Sequence, residues 1–412
     1  MSSPRLHVEL LDYVVDFLHD TIVALRSCSL VSKSWVPRAR RQLFAQIKFR
    51  NNTRDLQSWK STFPDPSTSP GYYAKTLSIG SLKEVVATDA EEGGWIRAFD
   101  RIVKLDLEDH WQPESTASLV PLRGLFPALR SVSISISTVA PSQISSFIYS
   151  FPLLEDISLT LDYSWTGYES DDESDDEPTA VRSPTPPPFT GALKLYAEYG
   201  IFAITNRLFS LSADPCFRKL RLALNAEEDS PSATKLIRHC SSTLEILKLD
   251  CFPNCTSICR ASQHELNVFV DAPPVVSSID LSNATKLKEV VVVAHLFPEW
   301  ITASLQTITR NHRDLQKITI DISFPLFILD PEHDLDEMVW PINKEIVCQG
   351  WLEFDHVLSE LQESHTIQLK VRYDRPDRMD TTRARNFARE LLPEVTTIGR
   401  VHAFERVYEW WV

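Results

Sequence analysis

The chain has little glycine, 10 residues in 412, about a third of the usual share. Loops that cradle phosphates need glycine so that the backbone can approach the ligand. Neither G-x-G-x-x-G nor G-x-x-x-x-G-K-[ST] occurs, and H-E-x-x-H and G-x-S-x-G are absent too. Basic residues are in deficit: Lys and Arg number 42 against 56 Asp and Glu, a net charge of −14. A protein that grips a nucleic-acid backbone needs the opposite balance. The most apolar run, Val290–Ala294, is too short to span a bilayer, and Met1–His7 lacks the apolar core of a secretory signal. Seven cysteines without a regular framework fit a reducing compartment, cytoplasmic or nuclear. No catalytic or cofactor-binding constellation stands out, so the reading is of a non-enzyme with no cofactor, no nucleic acid and no membrane among its partners.

What is present is ordinary in total and unusual in arrangement. The apolar share of 43% and charged share of 24% are those of a globular protein. The length exceeds what one core usually serves, so several domains or a repeat array are expected. Half of the net charge is local: Glu169, Asp171, Asp172, Glu173, Asp175, Asp176 and Glu177 fall within nine residues. With the Ser/Thr/Pro run ending at Pro188, they make 164–189 a disordered insert. Ser170 and Ser174 each precede Asp-Asp-Glu and are candidate phosphorylation sites of the acidophilic casein-kinase type; the alternative is an unmodified solvated loop.

In the first fifty residues, Leu10, Leu11, Val14, Val15 and Leu18 carry a helical stripe. Asp20 or Thr21 can cap a second helix bearing Ile22, Leu25 and Cys28. Leu30, Val31, Trp35, Leu43 and Phe44 continue the pattern, and Pro37 marks a break or a first helical turn. A self-contained bundle is one reading, yet about 45 residues rarely bury enough surface to stand alone. The run Leu6-His7-Val8-Glu9-Leu10-Leu11, then Val14, Phe17-Leu18, Ala24-Leu25, Cys28 through Trp35, and Leu43-Phe44 with Ile47, resembles an F-box over residues 4–47. His7 stands where that family has proline. The resemblance implies a three-helix module that docks on the Skp adaptor of a Skp–cullin–F-box ubiquitin ligase. Leu6, Glu9, Leu10, Leu11, Val14, Leu25 and Val31 would lie at or under that interface, with Leu18 and Trp35 in the core.

Downstream, the phrase apolar-x-x-apolar-x-apolar recurs: Ala74/Leu77/Ile79, Ile102/Leu105/Leu107, Leu129/Val132/Ile134 and Leu154/Ile157/Leu159. It returns at Phe217/Leu220/Leu222, Leu244/Leu247/Leu249, Leu287/Val290/Val292 and Leu315/Ile318/Ile320, with partial copies at Leu193/Leu195 and Ile279/Leu281. The commonest step is 25 to 28 residues. The phrase alternates as a half-buried strand does. Between copies lie helical stripes: Ile144/Phe147/Ile148/Phe151, Leu236/Ile237/Cys240 and Trp300/Ile301/Leu305/Ile308. A strand and a helix in such a period resemble the leucine-rich repeat, of an irregular kind, since only Asn225 occupies the asparagine position of the motif. The fold class is therefore α/β: an F-box at 4–47, a linker or first irregular repeat at 48–73, and an irregular leucine-rich-repeat-like solenoid at 74–412. A doubly wound α/β domain is the other architecture that alternates strands and helices. F-box and solenoid together resemble a class of ubiquitin-ligase substrate receptors, with divergent fungal members. There the solenoid holds a protein substrate and the Skp adaptor brings a cullin. A ligase-independent scaffold with a diverged F-box is the alternative.

Three lesser features complete the reading. Cys251, Cys255, Cys259 and His264 are spaced more widely than usual zinc ligands, which favours reduced structural cysteines and no metal. Arg38, Arg40 and Arg41 read as a solvated helix end. A helix over 383–392 ends at Pro393, and Trp410-Trp411 either caps the last repeat or anchors a partner.

Overall fold

Alternating apolar and polar residues make strands here wherever a tight turn precedes them. The computed structural model describes residues 7–50, 52–80, 94–108, 125–136, 148, 151–161, 189–197, 201–210, 216–224, 229–251, 278–294, 299–323, 344–362, 364–372, 389, 392–398 and 400–401. It divides into two units, Met1–Pro186 and Pro187–Val412. Both mix helices with parallel strands, so the chain is of the α/β class. No described helix is long and apolar enough to cross a membrane.

The first unit opens with helices α1 (Val8–Phe17), α2 (Ile22–Val31) and α3 (Val36–Leu43). Pro37 sits in the first turn of α3, where its missing N–H costs nothing. Strands β1 (Gln46–Phe49), β2 (Thr76–Ile79), β3 (Lys104–Leu107), β4 (Ser131–Ile136) and β5 (Asp156–Leu161) follow, with α4 (Asn52–Thr62) after β1. The strands pair in sequence order, all parallel, and their register sets Ile47, Leu77, Leu105, Val132 and Ile157 opposite one another. All five are buried. Ile47, read as the end of the helical module, therefore belongs to the strands, and Phe44/Ile47/Phe49 is one more copy of the phrase. The stretch 48–73 packs into this unit through Trp59. Its indole meets Phe44 and Phe49 edge-on at 5.9 and 6.1 Å and donates to Ser69 Oγ at 3.2 Å.

Hydrogen bonds explain the phrase. The carbonyl of Ala45 accepts the N–H groups of both Lys75 and Thr76; Lys75 accepts from Val103 and Lys104; Val103 from Arg130 and Ser131; Arg130 from Glu155 and Asp156. Each acceptor stands two residues before the central apolar residue of its coil. The first apolar residue closes a tight turn: Ala74, Ile102, Leu129 and Leu154 donate to the carbonyls of Gly71, Phe99, Phe126 and Phe151. Glycine suits the first of those turns, because a Cβ there would stand 3.0 Å from the Phe99 ring.

The second unit runs β6 (Ala192–Ala197), α5 (Phe202–Ser210), β7 (Lys219–Leu224), α6 (Asp229–Cys240), β8 (Ile246–Cys251) and β9 (Glu289–Ala294). Then come α7 (Glu299–Gln306), β10 (Lys317–Ser323), α8 (Lys344–Gln362), β11 (Thr366–Arg372), α9 (Pro393–Ile398) and β12 (Arg400–Val401). Its strands also pair parallel in sequence order, with Leu193, Leu220, Leu247, Val290, Ile318 and Ile367 in register. Gly191, Arg218, Glu245 and Lys288 each accept the same double hydrogen bond at the next strand's start. A doubly wound sheet turns on a reversal of strand order, and none occurs among the described strands of either unit. Helix α6 buries Ala233, Leu236, Ile237 and Cys240, α7 buries Trp300, Ile301 and Leu305, and α8 buries Trp351, Phe354 and Leu358. Burial pushes the Cys240 thiol up to about 12, which leaves it inert.

Two expectations change, at Ile279/Leu281 and at Phe189. Ile279 and Leu281 are buried but form no strand. Their N–H groups donate to Ser304 Oγ and Thr307 Oγ1, at 2.8 and 2.9 Å, so side chains do what a neighbouring strand would do. Pro393 opens a short helix, in which the buried Asp355 carboxylate accepts from the N–H groups of Glu394 and Val395, at 2.7 and 3.0 Å; of the helix expected over 383–392, Arg389 is helical and most of the rest lies outside the described residues. Burial raises the Asp355 carboxyl pKa, against the pull of those two bonds. Phe189, at the edge of the expected insert, is buried and stacks on Phe217 at 5.8 Å.

Candidate docking surface on the N-terminal helices

Helix α1 has two apolar faces. The inner one carries Val15, which packs with Leu25 and Cys28 of α2 and Ala39 of α3; Leu18, Trp35 and Leu43 lie half-buried against this cluster. The other carries Leu10, Tyr13, Val14 and Phe17, spaced i, i+3, i+4, i+7 and therefore on one stripe. All four are exposed, Leu10 to 55% and Phe17 to 77%. Helix α2 repeats the pattern, with Leu25 and Cys28 inward and Ile22, Val23, Leu30 and Val31 in water, Leu30 to 87%. Elsewhere among the described residues, exposed large apolar side chains stand singly, as Tyr72, Leu153 and Leu352. Scattered ones are normal on any protein, whereas a concentration of them marks an interaction surface.

The helices are held so that this face stays outward. Asp16, on α1, accepts from Arg38 Nε at 2.7 Å and again from Arg38 Nη2, and from Gln42 Nε2 at 2.7 Å, both on α3. The Arg38 guanidinium beside it holds the Asp16 carboxyl below the usual carboxylate value. Ser32 turns the chain between α2 and α3: its hydroxyl meets that of Ser34 at 2.9 Å, and its carbonyl accepts the Trp35 N–H at 3.0 Å. Phe44 then meets Trp59 and Phe63 edge-on at 5.9 and 6.0 Å. The small helical core is thereby extended by the coil that follows, and the outer stripes remain in water.

The residues singled out from the sequence separate on this geometry. Leu10, Val14 and Val31 are on the exposed face, and Glu9 is exposed beside His7, its carboxylate 3.0 Å from Nδ1. Leu25, read as lying at or under the interface, is core at 1% exposure, because at its position in α2 it faces Val15 and Ala39 instead of water. Leu11 lies within α1, and Leu6 lies outside the described residues. Tyr13 and Val23 were not singled out, and Phe17, Ile22 and Leu30 were named in the apolar pattern but not as interface residues. The spacing 10-13-14-17 could have found the first two, had α1 been read as two stripes instead of one broad one. His7 precedes α1 without a side-chain cap, and its φ of −60° is close to the angle proline would lock. Thr21 precedes α2 but its hydroxyl makes no cap either. Arg38 is bound to Asp16, whereas Arg40 and Arg41 are exposed in the last turn of α3, where positive charge suits the helix dipole.

Cys251 lies in β8, and Cys255, Cys259, His264, Ser170, Ser174, Trp410 and Trp411 lie outside the described residues. Among the described residues no His, Cys, Asp and Glu side chains gather as a metal site would require.

No family model matches the chain, and no curated protein matches it. Among solved structures it is similar to a protein from Bacteroides fragilis, with 10% identity, 77% of this chain and 81% of that chain covered, and a TM-score of 0.35.

Proposed function

We propose that this protein is a substrate-recognition adaptor of a Skp–cullin–F-box ubiquitin ligase. In this reading the N-terminal helices are an F-box that docks on the Skp adaptor, and the strand coils are an irregular leucine-rich-repeat-like solenoid that holds a protein substrate. The observation that carries it is the outer stripe of α1, four apolar side chains in water on the segment that resembles an F-box. The solenoid reading is supported by the same double hydrogen bond at the start of successive strands, with the central apolar residues in register. Such coils cannot cover their own apolar faces singly and must stack. Function then needs no bond chemistry from this chain: substrate and a ubiquitin-loaded enzyme are held together, and proximity does the rest.

Co-purification of the full chain with the Skp adaptor and cullin tests it. Wild type brings both; Leu10→Asp with Val14→Asp brings neither, while its melting temperature is unchanged. Retention of both by that variant contradicts the assignment of this face. His7 at the family's proline position favours a second reading, a scaffold that works without the ligase. Skp adaptor in the wild-type complex with no cullin, or neither of them, supports the scaffold.

A further inference from the structure

The helical module is split by charge. From His7 to Asp20 the chain carries four Asp and Glu and no Lys or Arg, whereas from 21 to 50 it carries seven Lys and Arg and no Asp or Glu. The second stretch reverses the sign of a chain whose net charge is −14. Two of its cations are engaged, Arg38 with Asp16 and Lys48 with Glu108 at 3.8 Å. Arg26 on α2, Lys33 in the turn after it, and Arg40 and Arg41 on α3 are exposed. Among the described residues none of these four side chains has an ion pair or a hydrogen bond. Arg41 adds only a longer-range attraction to Asp16. The dipole of α3 accounts for cations in its last turn, but for neither Arg26 nor Lys33. Arg26 stands within the exposed stripe of α2, three residues after Val23 and four before Leu30, so charge and apolar surface share one face. A surface built only for water mixes both signs. Here one sign gathers beside eight large apolar side chains left in water.

We infer that the partner covering the apolar stripes of α1 and α2 is a protein that brings acidic side chains to Arg26, Lys33, Arg40 and Arg41, and that this charge match steers its docking. The inference rests on the F-box reading, in which that partner is the Skp adaptor. Three of the four cations are Arg, the side chain that holds a carboxylate with two parallel bonds. A protein can set its carboxylates opposite the cations alone. A nucleic-acid backbone or an anionic membrane would carry its charge onward to Glu9 on α1 and Asp20 just after it, both exposed.

Stopped-flow association of the full chain with the Skp adaptor tests this. For wild type the association rate constant falls about tenfold as salt rises from about 50 mM to about 500 mM. R40E with R41E lowers it about tenfold at low salt and flattens that dependence, while dissociation changes by less than about twofold. R26Q with K33Q, which leaves α3 untouched, lowers it about threefold. Should R40E with R41E melt early, R40Q with R41Q gives a smaller loss of the same kind in a chain that melts as wild type. Wild-type association that ignores salt, or wild-type rates in the folded variants, overturns the inference and leaves the F-box reading standing. Tighter binding of double-stranded DNA, or of phosphatidylserine vesicles, than of the adaptor overturns it too. Failure of the wild type to associate with the adaptor at any salt sinks the F-box reading and this inference together.

Discussion

Within the first unit, the three helices and the strands treat apolar side chains in opposite ways. From β1 to β5 each central apolar residue stands in register with the next and is buried. Among the described side chains of α1 and α2, eight large apolar ones face water and three apolar ones are buried. Burying a large apolar side chain is worth about 1.5–3 kcal/mol, so the helices forgo a stabilisation that the strands collect at every coil. The difference is one of closure. A strand between two others is covered by its neighbours, whereas a short helical module has only a few residues of core and an outer side that the described residues of this unit do not cover.

Mutations at the two kinds of position break or sharpen that contrast. The largest effect belongs to the strands: Leu105→Ala, at a fully buried register position, costs about 2–5 kcal/mol, read as a lower urea midpoint. A cost below about 1 kcal/mol there means that the coil is loosely packed. Next comes the tie between α1 and α3. Arg38→Ala removes the partner of Asp16 and costs about 1 kcal/mol near neutral pH, a modest figure because both side chains are about a third exposed. Its pH dependence has a definite sign. The folded-state value of Asp16 lies below the ordinary 3.8, so the stabilisation is present above that value and is lost as pH falls through the depressed one. The difference between wild type and Arg38→Ala therefore closes in acid. The smallest effect lies on the outer stripe: Phe17→Ser changes stability by less than about 0.5 kcal/mol. If instead it cost as much as Leu105→Ala, the stripe would be core and the contrast would vanish.

Much of the strand architecture was legible in the sequence because one phrase carries one hydrogen-bonded turn and two inward side chains. The central residues picked out by spacing, from Leu77 to Ile157 and from Leu193 to Ile318, are those that stand in register. Two coils escaped for physical reasons. Phe44/Ile47/Phe49 was absorbed by the helical pattern beside it, and β11 lacks the leading apolar residue, with Ser364 in its place. Ile279 and Leu281 misled in the other direction, since alternation shows which side chains go inward and not which groups satisfy the backbone. That a further helix starts at Pro393 was not legible, because the carboxylate that caps it, Asp355, is distant in sequence. The candidate surface was legible only in outline. Leu10, Val14 and Val31, named from the sequence, are exposed, but an apolar stripe does not say which half faces a partner, and Leu25, named as at or under the surface, is buried.

The central claim is that the outer stripe of α1 is covered by another protein. Calorimetric titration of the full chain with the Skp adaptor, wild type against Leu10→Asp with Phe17→Asp, tests it most directly. The account predicts wild-type binding with a negative heat-capacity change, the mark of apolar burial, and at least about a 100-fold loss in a variant that melts like wild type. Equal affinity in the two proteins, or no heat of binding from the wild type, would contradict it.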